Sequence, residues 1–323
     1  MPKAIRIHQT GGPEVLRLEE VALAAPGAGE ARVRQTAVGV NYVDVYHRAG
    51  VYPLPLPTGI GVEAAGVVEE VGAAVAHVRP GDRVAYVAPP GAYAEARVLP
   101  ADRLVKLPAE LPDRVAAGAM LKGLTVQALV RRTYPVKAGE TVLVHAAAGG
   151  VGTIMVQWLK ALGATVIATV GTDEKAKVAR ANGADHVIVY TRESFPERVR
   201  ELTGGAGVPV VYDSVGKATW EGSLDSLRPF GLMVTFGNAS GTVPPFDVAT
   251  LGRKGSLYVT RPTVFGYVAK REDLERGAAE LFEVIRGGKV RIDVTQTFPL
   301  AAAAEAHRAL ESRATTGSLV LLP

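Results

Sequence analysis

Residues 144–152, VHAAAGGVG, join an apolar strand to an apolar-striped helix through a run of very small side chains. TVLV at 141–144 reads as a buried strand, and Val151, Ile154, Met155, Trp158, Leu159 and Leu162 fall on one face of a helix with a period of about 3.6 residues. Small residues at such a corner let an anion approach the backbone, where free amides and the positive end of the helix dipole stabilise its charge. The usual G-x-G-x-x-G of a dinucleotide corner begins here with Ala146, giving A-x-x-G-x-x-G. The strand before it, the helix after it and a second strand at 165–170 supply the context the motif needs. A pyrophosphate is therefore expected against Ala148, Gly149, Gly150, Val151 and Gly152.

The end of the second strand decides between the nicotinamide cofactors. A carboxylate about 20 residues beyond the glycines holds the free 2′-hydroxyl of NAD. Here the strand runs out as Val170, Gly171 and Thr172, with no acid to oppose a 2′-phosphate. Asp173 and Glu174 read as acids in the first turn of a helix capped by Thr172. Lys175, and Tyr190 just past a third strand at 187–189, are candidates to meet that phosphate. The expected cofactor is NADPH.

Outward from this corner the chain divides. Up to about residue 100 it is β-rich, with strands expected at 4–8, 16–21, 31–40, 62–71, 83–87 and 93–99, one helix at 42–48, and Gly and Pro between the runs. Short strands with regular turn signals indicate a barrel-like, mostly antiparallel domain. Helices are expected at 114–119 and 125–132. Strands at 141–144, 165–170, 187–189, 208–212, 232–236 and 257–259 then alternate with helices, the pattern of a doubly wound parallel sheet. A long amphipathic helix carrying Leu274, Ala278, Leu281, Phe282 and Ile285, a helix at 301–310 and a strand at 318–322 complete the chain.

The 323 residues, 48% of them hydrophobic, suffice for two buried cores. The first residues, MPKAIRIHQTGG, lack an apolar signal core, and no apolar run reaches membrane-spanning length, so a cytoplasmic location and no membrane partner are expected. The net charge of +4 is spread among acids, as at 270–276, and does not form the block expected of a nucleic-acid surface. The chain has no cysteine, which excludes disulfides, thiolate metal sites and cysteine nucleophiles. Its six histidines, His8, His47, His77, His145, His186 and His307, lack ligand spacing and read as surface or loop residues.

With these motifs located, the whole chain resembles the medium-chain dehydrogenase/reductase superfamily, and within it the zinc-free quinone oxidoreductases related to ζ-crystallin. The resemblance is carried most specifically by GETVLVHAAAGGVGTIMVQWLK at 139–160. Supporting pieces are GGPEVL at 11–16, GVNYVDVYHRAGVYP at 39–53, GVEAAGVVEEVG at 61–72, GDRV at 81–84 and LKGLTV at 121–126. YDSVG at 212–216, FGNASG at 236–241 and SLYVTRP at 256–262 resemble the bacterial NADPH:quinone reductases. The resemblance implies an α/β protein: a GroES-like β-barrel catalytic domain at 1–124, completed by 266–323, and a doubly wound Rossmann dinucleotide-binding domain at 125–265. The zinc alcohol dehydrogenases of the superfamily carry a cysteine where this chain has Asn41 and a histidine where it has Val62, and their cysteine-bearing lobe is reduced here to residues 88–92. No metal is expected.

Without a Lewis acid the acceptor must already be electrophilic, a quinone or an activated enone. The resemblance places Asn41, Tyr46 and Tyr52 at the substrate cleft as oxyanion donors, with Asn41 also beside the cofactor. It places Thr125 near the nicotinamide and Phe236, Gly237 and Asn238 against the cofactor, and it carries over Ser214 and Arg313, the latter as charge for the 2′-phosphate. The strand at 256–259 is a candidate homodimer edge. The function expected is NADPH-dependent quinone reduction by hydride transfer. An alkenal or enoyl reductase is the neighbouring alternative, and an RNA-binding or crystallin-like structural role the alternative of another class, for which no RNP aromatics or arginine cluster speak.

Overall fold

A computed structural model describes residues 1–323, which fall into two compact units. The first comprises Met1–Lys122, Val268–Phe282 and Ile292–Pro323, and the second Gly123–Tyr267 and Glu283–Arg291.

The first unit opens with β1 (Lys3–Ile7) and β2 (Arg17–Glu20), then β3 (Glu30–Val40), whose alternating buried and open residues mark a strand with one face in a core. Helix α1 (Tyr42–Arg48) and strands β4 (Thr58–Gly59), β5 (Glu63–Val71), β6 (Arg83–Val87), β7 (Ala96–Pro100) and β8 (Leu104–Lys106) follow. Helix α2 (Asp113–Gln127) carries the chain into the second unit. Two helices were expected here, but the helix runs unbroken through both Gly118 and Gly123. Gly118 inside it lies close against Ser318, whose hydroxyl donates to the Gly118 carbonyl at 2.8 Å. A π-helical turn at Ala128–Thr133 ends the segment. Residues 93–95, expected in β7, pair instead with β1: Ile5 N–H donates to Tyr93 O and Glu95 N–H to Lys3 O.

In the second unit β9 (Thr141–Val144), α3 (Gly150–Ala161), β10 (Thr165–Val170), α4 (Asp173–Ala181), β11 (His186–Val189), α5 (Phe195–Leu202), β12 (Val208–Asp213), α6 (Trp220–Ser226), β13 (Leu227–Thr235), α7 (Ala249–Arg253), β14 (Tyr258–Thr260) and α8 (Val264–Tyr267) form a six-stranded parallel sheet with its helices. Its strand order is β11-β10-β9-β12-β13-β14, the doubly wound order. β13 begins five residues before the expected 232, because Pro229 and Phe230, the latter left-handed at φ 60°, are absorbed within the strand.

The tail returns through α9 (Arg271–Arg286), β15 (Val294–Pro299), α10 (Ala303–Glu311) and β16 (Ser318–Leu322). β15 was not anticipated, since its residues are mostly exposed and present no apolar alternation. Within the first unit β16 lies between β15 and β3, in the larger sheet β15-β16-β3-β5-β6-β8, with β7 also paired to β3. Ile5, Ile7, Val33, Val38, Ile60, Leu99, Leu104, Leu319 and Leu321 fill its core, each aliphatic side chain contributing about 1.5–3 kcal/mol by leaving water. The whole of 266–323 was expected in the first unit, but the tail is divided between the two. Residues 283–291 join the second because Gln157 on α3 holds Arg291 by both backbone groups, donating to its carbonyl at 3.0 Å and accepting its N–H at 2.8 Å.

Candidate functional site

In the parallel sheet the winding reverses between β9 and β12, so the loops leaving the carboxyl ends of the strands open a crevice there. After β9 the backbone turns through Ala146, left-handed at φ 51°, and Gly149 N–H donates to Ala146 O at 2.9 Å. The first helical bond of α3 runs from Thr153 N–H to Gly149 O, which leaves the amides of Gly150, Val151 and Gly152 ahead of it and directed out of the helix. A Cβ at Gly152 would stand 2.3 Å from Ala146 O and 2.7 Å from Ala147 Cα. Only glycine allows helix and loop to approach this closely. The corner fits a pyrophosphate: small residues, outward amides and the positive end of a three-turn helix.

The end of β10 is equally confined. A Cβ at Gly171 would meet the Tyr190 hydroxyl at 2.9 Å, so that hydroxyl lies over the glycine, and Thr191 Oγ1 donates to Gly171 O at 3.0 Å. Thr172 caps α4, its Oγ1 accepting Lys175 N–H at 3.3 Å, and Lys175 is half-buried in the first helical turn. Asp173 is held by both guanidinium nitrogens of Arg192, at 2.8 and 2.6 Å. Arg192 went unread in the sequence, although it stands two residues beyond Tyr190.

At the end of β12, Asp213 is fully buried. Its Oδ1 accepts Val215 N–H at 2.7 Å and Gly216 N–H at 3.0 Å, and its Oδ2 accepts the hydroxyls of Thr219 at 2.6 Å and Ser223 at 2.9 Å. This fixes the turn carrying Ser214. Phe236 N–H donates to Asp213 O at 2.8 Å, and a Cβ on Gly237 would lie 2.3 Å from Ser214 O. Ser214, Phe236, Gly237 and Asn238 thus share one end of two adjacent strands. Arg261, also unread in the sequence, donates to Thr235 Oγ1 at 3.1 Å and Gly237 O at 3.0 Å. Thr125 is carried by α2 and not by a strand-end loop.

In the first unit Asn41 precedes α1 and is buried. Its Nδ2 donates to Glu63 Oε1 at 2.7 Å, and Glu63 also accepts Leu121 N–H at 2.6 Å and Lys122 Nζ at 3.2 Å. Because Glu63 only accepts, the orientation of the Asn41 amide is determined. The donors around Asn41 and Val62 do not fit zinc: one is an amide nitrogen committed to Glu63, one an aliphatic side chain, and the carboxylate already holds three donors. No three His, Cys, Asp or Glu side chains converge elsewhere. Tyr46 is half-buried on α1 and packs edge-on to the more exposed Tyr52, ring centroids 5.3 Å apart. Arg313, left-handed at φ 57°, hydrogen-bonds the Tyr42 side chain.

Behind α1 lies a polar chain that the sequence did not disclose. Arg48 donates from Nη1 to His307 Nδ1 at 3.1 Å and grips Glu311 at 2.9 and 2.8 Å. With Nδ1 accepting, neutral His307 carries its proton on Nε2 and donates to Tyr93 Oη at 3.0 Å. Tyr93 in turn donates to Asp44 Oδ2 at 3.0 Å, which also accepts Asn41 N–H at 2.9 Å. Asp44 Oδ1 is buried without a partner. Burial pushes the Asp44 carboxyl up to about 7, and burial with the Arg48 charge pushes His307 down to about 3. Three histidines are therefore not surface residues: His47, His145 and His307 are buried, the last two held by side-chain hydrogen bonds that sequence spacing does not reveal.

Residues 27–109 match the alcohol dehydrogenase GroES-like domain and residues 150–283 the zinc-binding dehydrogenase family. The chain is 53% identical to a quinone oxidoreductase of Pseudomonas aeruginosa over the full length of both proteins. It belongs to the quinone oxidoreductase family. That family sits within the medium-chain dehydrogenase/reductase superfamily, and its members are enzymes with a GroES-like domain and a Rossmann domain. The crystal structure of Escherichia coli quinone oxidoreductase complexed with NADPH superposes with a TM-score of 0.98 at 50% identity, covering 99% of this chain and all of that one. A 2-haloacrylate reductase from Burkholderia sp is 49% identical over all of this chain and 99% of the relative. No helix is long and apolar enough to cross a membrane.

Proposed function

We propose that this chain reduces quinones with NADPH, without a metal. The observation that carries the reading is the end of β10, where Gly171 and Thr172 stand in place of the acid that would hold a free 2′-hydroxyl, with the Tyr190 hydroxyl over Gly171, Lys175 in the first turn after Thr172, and Asp173 neutralised by Arg192. It stands beside a glycine corner shaped for pyrophosphate, in a chain half identical to an enzyme crystallised with NADPH.

NADPH, when bound, supplies the hydride. The amides of Gly150, Val151 and Gly152 hold the pyrophosphate, and Lys175 and Tyr190 the 2′-phosphate, with Arg313 assigned as further positive charge. Ser214, Phe236, Gly237, Asn238 and Thr125 are assigned to the nicotinamide half. Asn41 has one amide hydrogen fixed on Glu63, and we assign the other, with the Tyr46 and Tyr52 hydroxyls, to the acceptor oxygen on which negative charge develops. Water can then protonate the hydroquinone anion left by hydride addition, so no side chain is required as the final acid.

Binding titrations with NADPH and NADH test the cofactor assignment. Lys175→Ala should weaken NADPH about tenfold, the value of one charge-assisted hydrogen bond, and leave NADH unchanged. Equal affinities in the parent chain, unaltered in the variant, would refute it. A second reading, reduction of an activated alkene, is favoured by the similarity to the 2-haloacrylate reductase. Turnover on 1,4-benzoquinone and naphthoquinones against 2-alkenals and 2-haloacrylate separates the two. We also assign a cytoplasmic homodimer, formed by pairing of β14 with its two-fold mate. β14 is the edge of the parallel sheet, and Tyr258 on it is 60% exposed, with Phe230 70% and Val248 71%.

A further inference from the structure

Beneath the glycine corner four side chains form a hydrogen-bonded chain with no solvent access. His145, the residue after β9, contacts Thr169 Oγ1 of β10 through Nδ1 at 2.7 Å and Ser223 Oγ of α6 through Nε2 at 3.0 Å. Ser223 donates to Asp213 Oδ2, at the end of β12, at 2.9 Å. The direction of every bond is determined. All four partners of Asp213 are donors, so the single Ser223 proton goes to the carboxylate and Ser223 Oγ accepts from His145 Nε2–H. His145 Nδ1 is then a lone pair and accepts the Thr169 hydroxyl. Burial lowers the His145 pKa, in keeping with a neutral ring. The ring is also held edge-on by Phe195, centroids 4.9 Å apart.

The chain ties together the ends of β9, β10 and β12, and each of those ends opens into a loop of the cofactor crevice: the Ala146–Gly152 corner, the Gly171–Lys175 selector and the Ser214 turn. Backbone bonds run in parallel, from His145 N–H to Tyr212 O and from Ala147 N–H to Thr169 O. We infer that the Thr169–His145–Ser223–Asp213 chain is a positioning network for the dinucleotide, setting the spacing of the three loops that must grip it at once. The inference rests on NADPH being the cofactor.

Ser223→Ala cuts the chain at its centre and leaves His145 Nε2–H buried without an acceptor, while Asp213 keeps its other three donors. The NADPH Kd, measured by calorimetry, should rise about tenfold, the value of one buried hydrogen bond, and kcat at saturating NADPH should stay within about twofold. Thr169→Val, nearly isosteric and at the far end of the chain, should raise the Kd in the same direction and serves where Ser223→Ala does not fold. His145→Phe combined with Ser223→Ala removes the orphaned donor and should recover thermal stability while the Kd stays raised, which a merely structural role would not produce. Parent-like Kd values in Ser223→Ala and Thr169→Val, or a Kd that recovers together with Tm in the double variant, would overturn the network. A parent chain that binds no NADPH would overturn it together with the cofactor assignment, whereas tight parental binding with unmoved variants sinks the network alone.

Discussion

Two buried groups in the first unit make opposed contributions to stability, and separating them tests the polar chain behind α1. Asp44 holds its proton to about pH 7 in the folded protein, against an ordinary 3.8, so between these values the folded state binds the extra proton. Its contribution is complete below about pH 4 and is lost as pH rises through 7, at about 1.4 kcal/mol per pH unit while one full proton separates the states. His307 titrates near 3 when folded, against an ordinary 6.5, so here the unfolded chain binds the extra proton. Its contribution is complete above about 6.5 and is lost as pH falls toward 3. From about pH 4 to 6.5 the two slopes cancel. Asp44→Asn should unmask the histidine, its stability relative to the parent rising by about 2–3 kcal/mol from pH 4.5 to 6.5, and His307→Gln should fall by a similar amount. Both tryptophans, Trp158 and Trp220, lie in the second unit, so their fluorescence misses this event. Hydrogen exchange of the slowest β3 and β16 amides, corrected for intrinsic rates, reads the first unit directly. Differences from the parent that are flat, or of the same sign in both variants, would refute the burial and the hydrogen-bond directions on which this rests.

Gly152→Val should abolish the close approach at the glycine corner and weaken NADPH more than about 100-fold by calorimetry, with a near-parental affinity counting against that corner as the phosphate site. Tyr52→Phe should lower kcat on 1,4-benzoquinone roughly threefold to tenfold, one neutral hydrogen bond in the transition state, with NADPH affinity unmoved; unchanged turnover removes this tyrosine from the acceptor site. Tyr258→Asp should convert a dimer to monomer in light scattering at micromolar concentration, and a dimer that persists would place the interface elsewhere than at β14.

The parallel sheet was legible because its strands are short apolar runs separated by amphipathic helices, and 141–144 and 165–170 were located to the residue. The larger errors fall where local pattern and tertiary environment disagree. Gly118 and Gly123 look like helix breaks, yet packing carries α2 through both. β15 shows no apolar alternation because it lies at a sheet edge. Candidate cofactor residues were legible where chemistry depends on backbone access, as at Gly152 and Gly171, since small side chains leave a mark in sequence. The supports behind them were not. Asp44, Tyr93 and His307 are far apart in the chain, and His145, Ser223 and Asp213 are likewise brought together only by the winding of the sheet.

The position of β16 bears on how the chain is made. Val320 pairs with Gly39 and Leu321 with Val38, so a seam within the first unit's sheet joins residues that lie far apart along the chain. The second unit, nearly continuous in sequence, has almost all its strands in hand while the first still waits for its seam. During translation the Val38–Val40 end of β3 therefore lacks its neighbour until residues 318–322 have been made, whereas its Glu30–Arg34 end is already covered by β7.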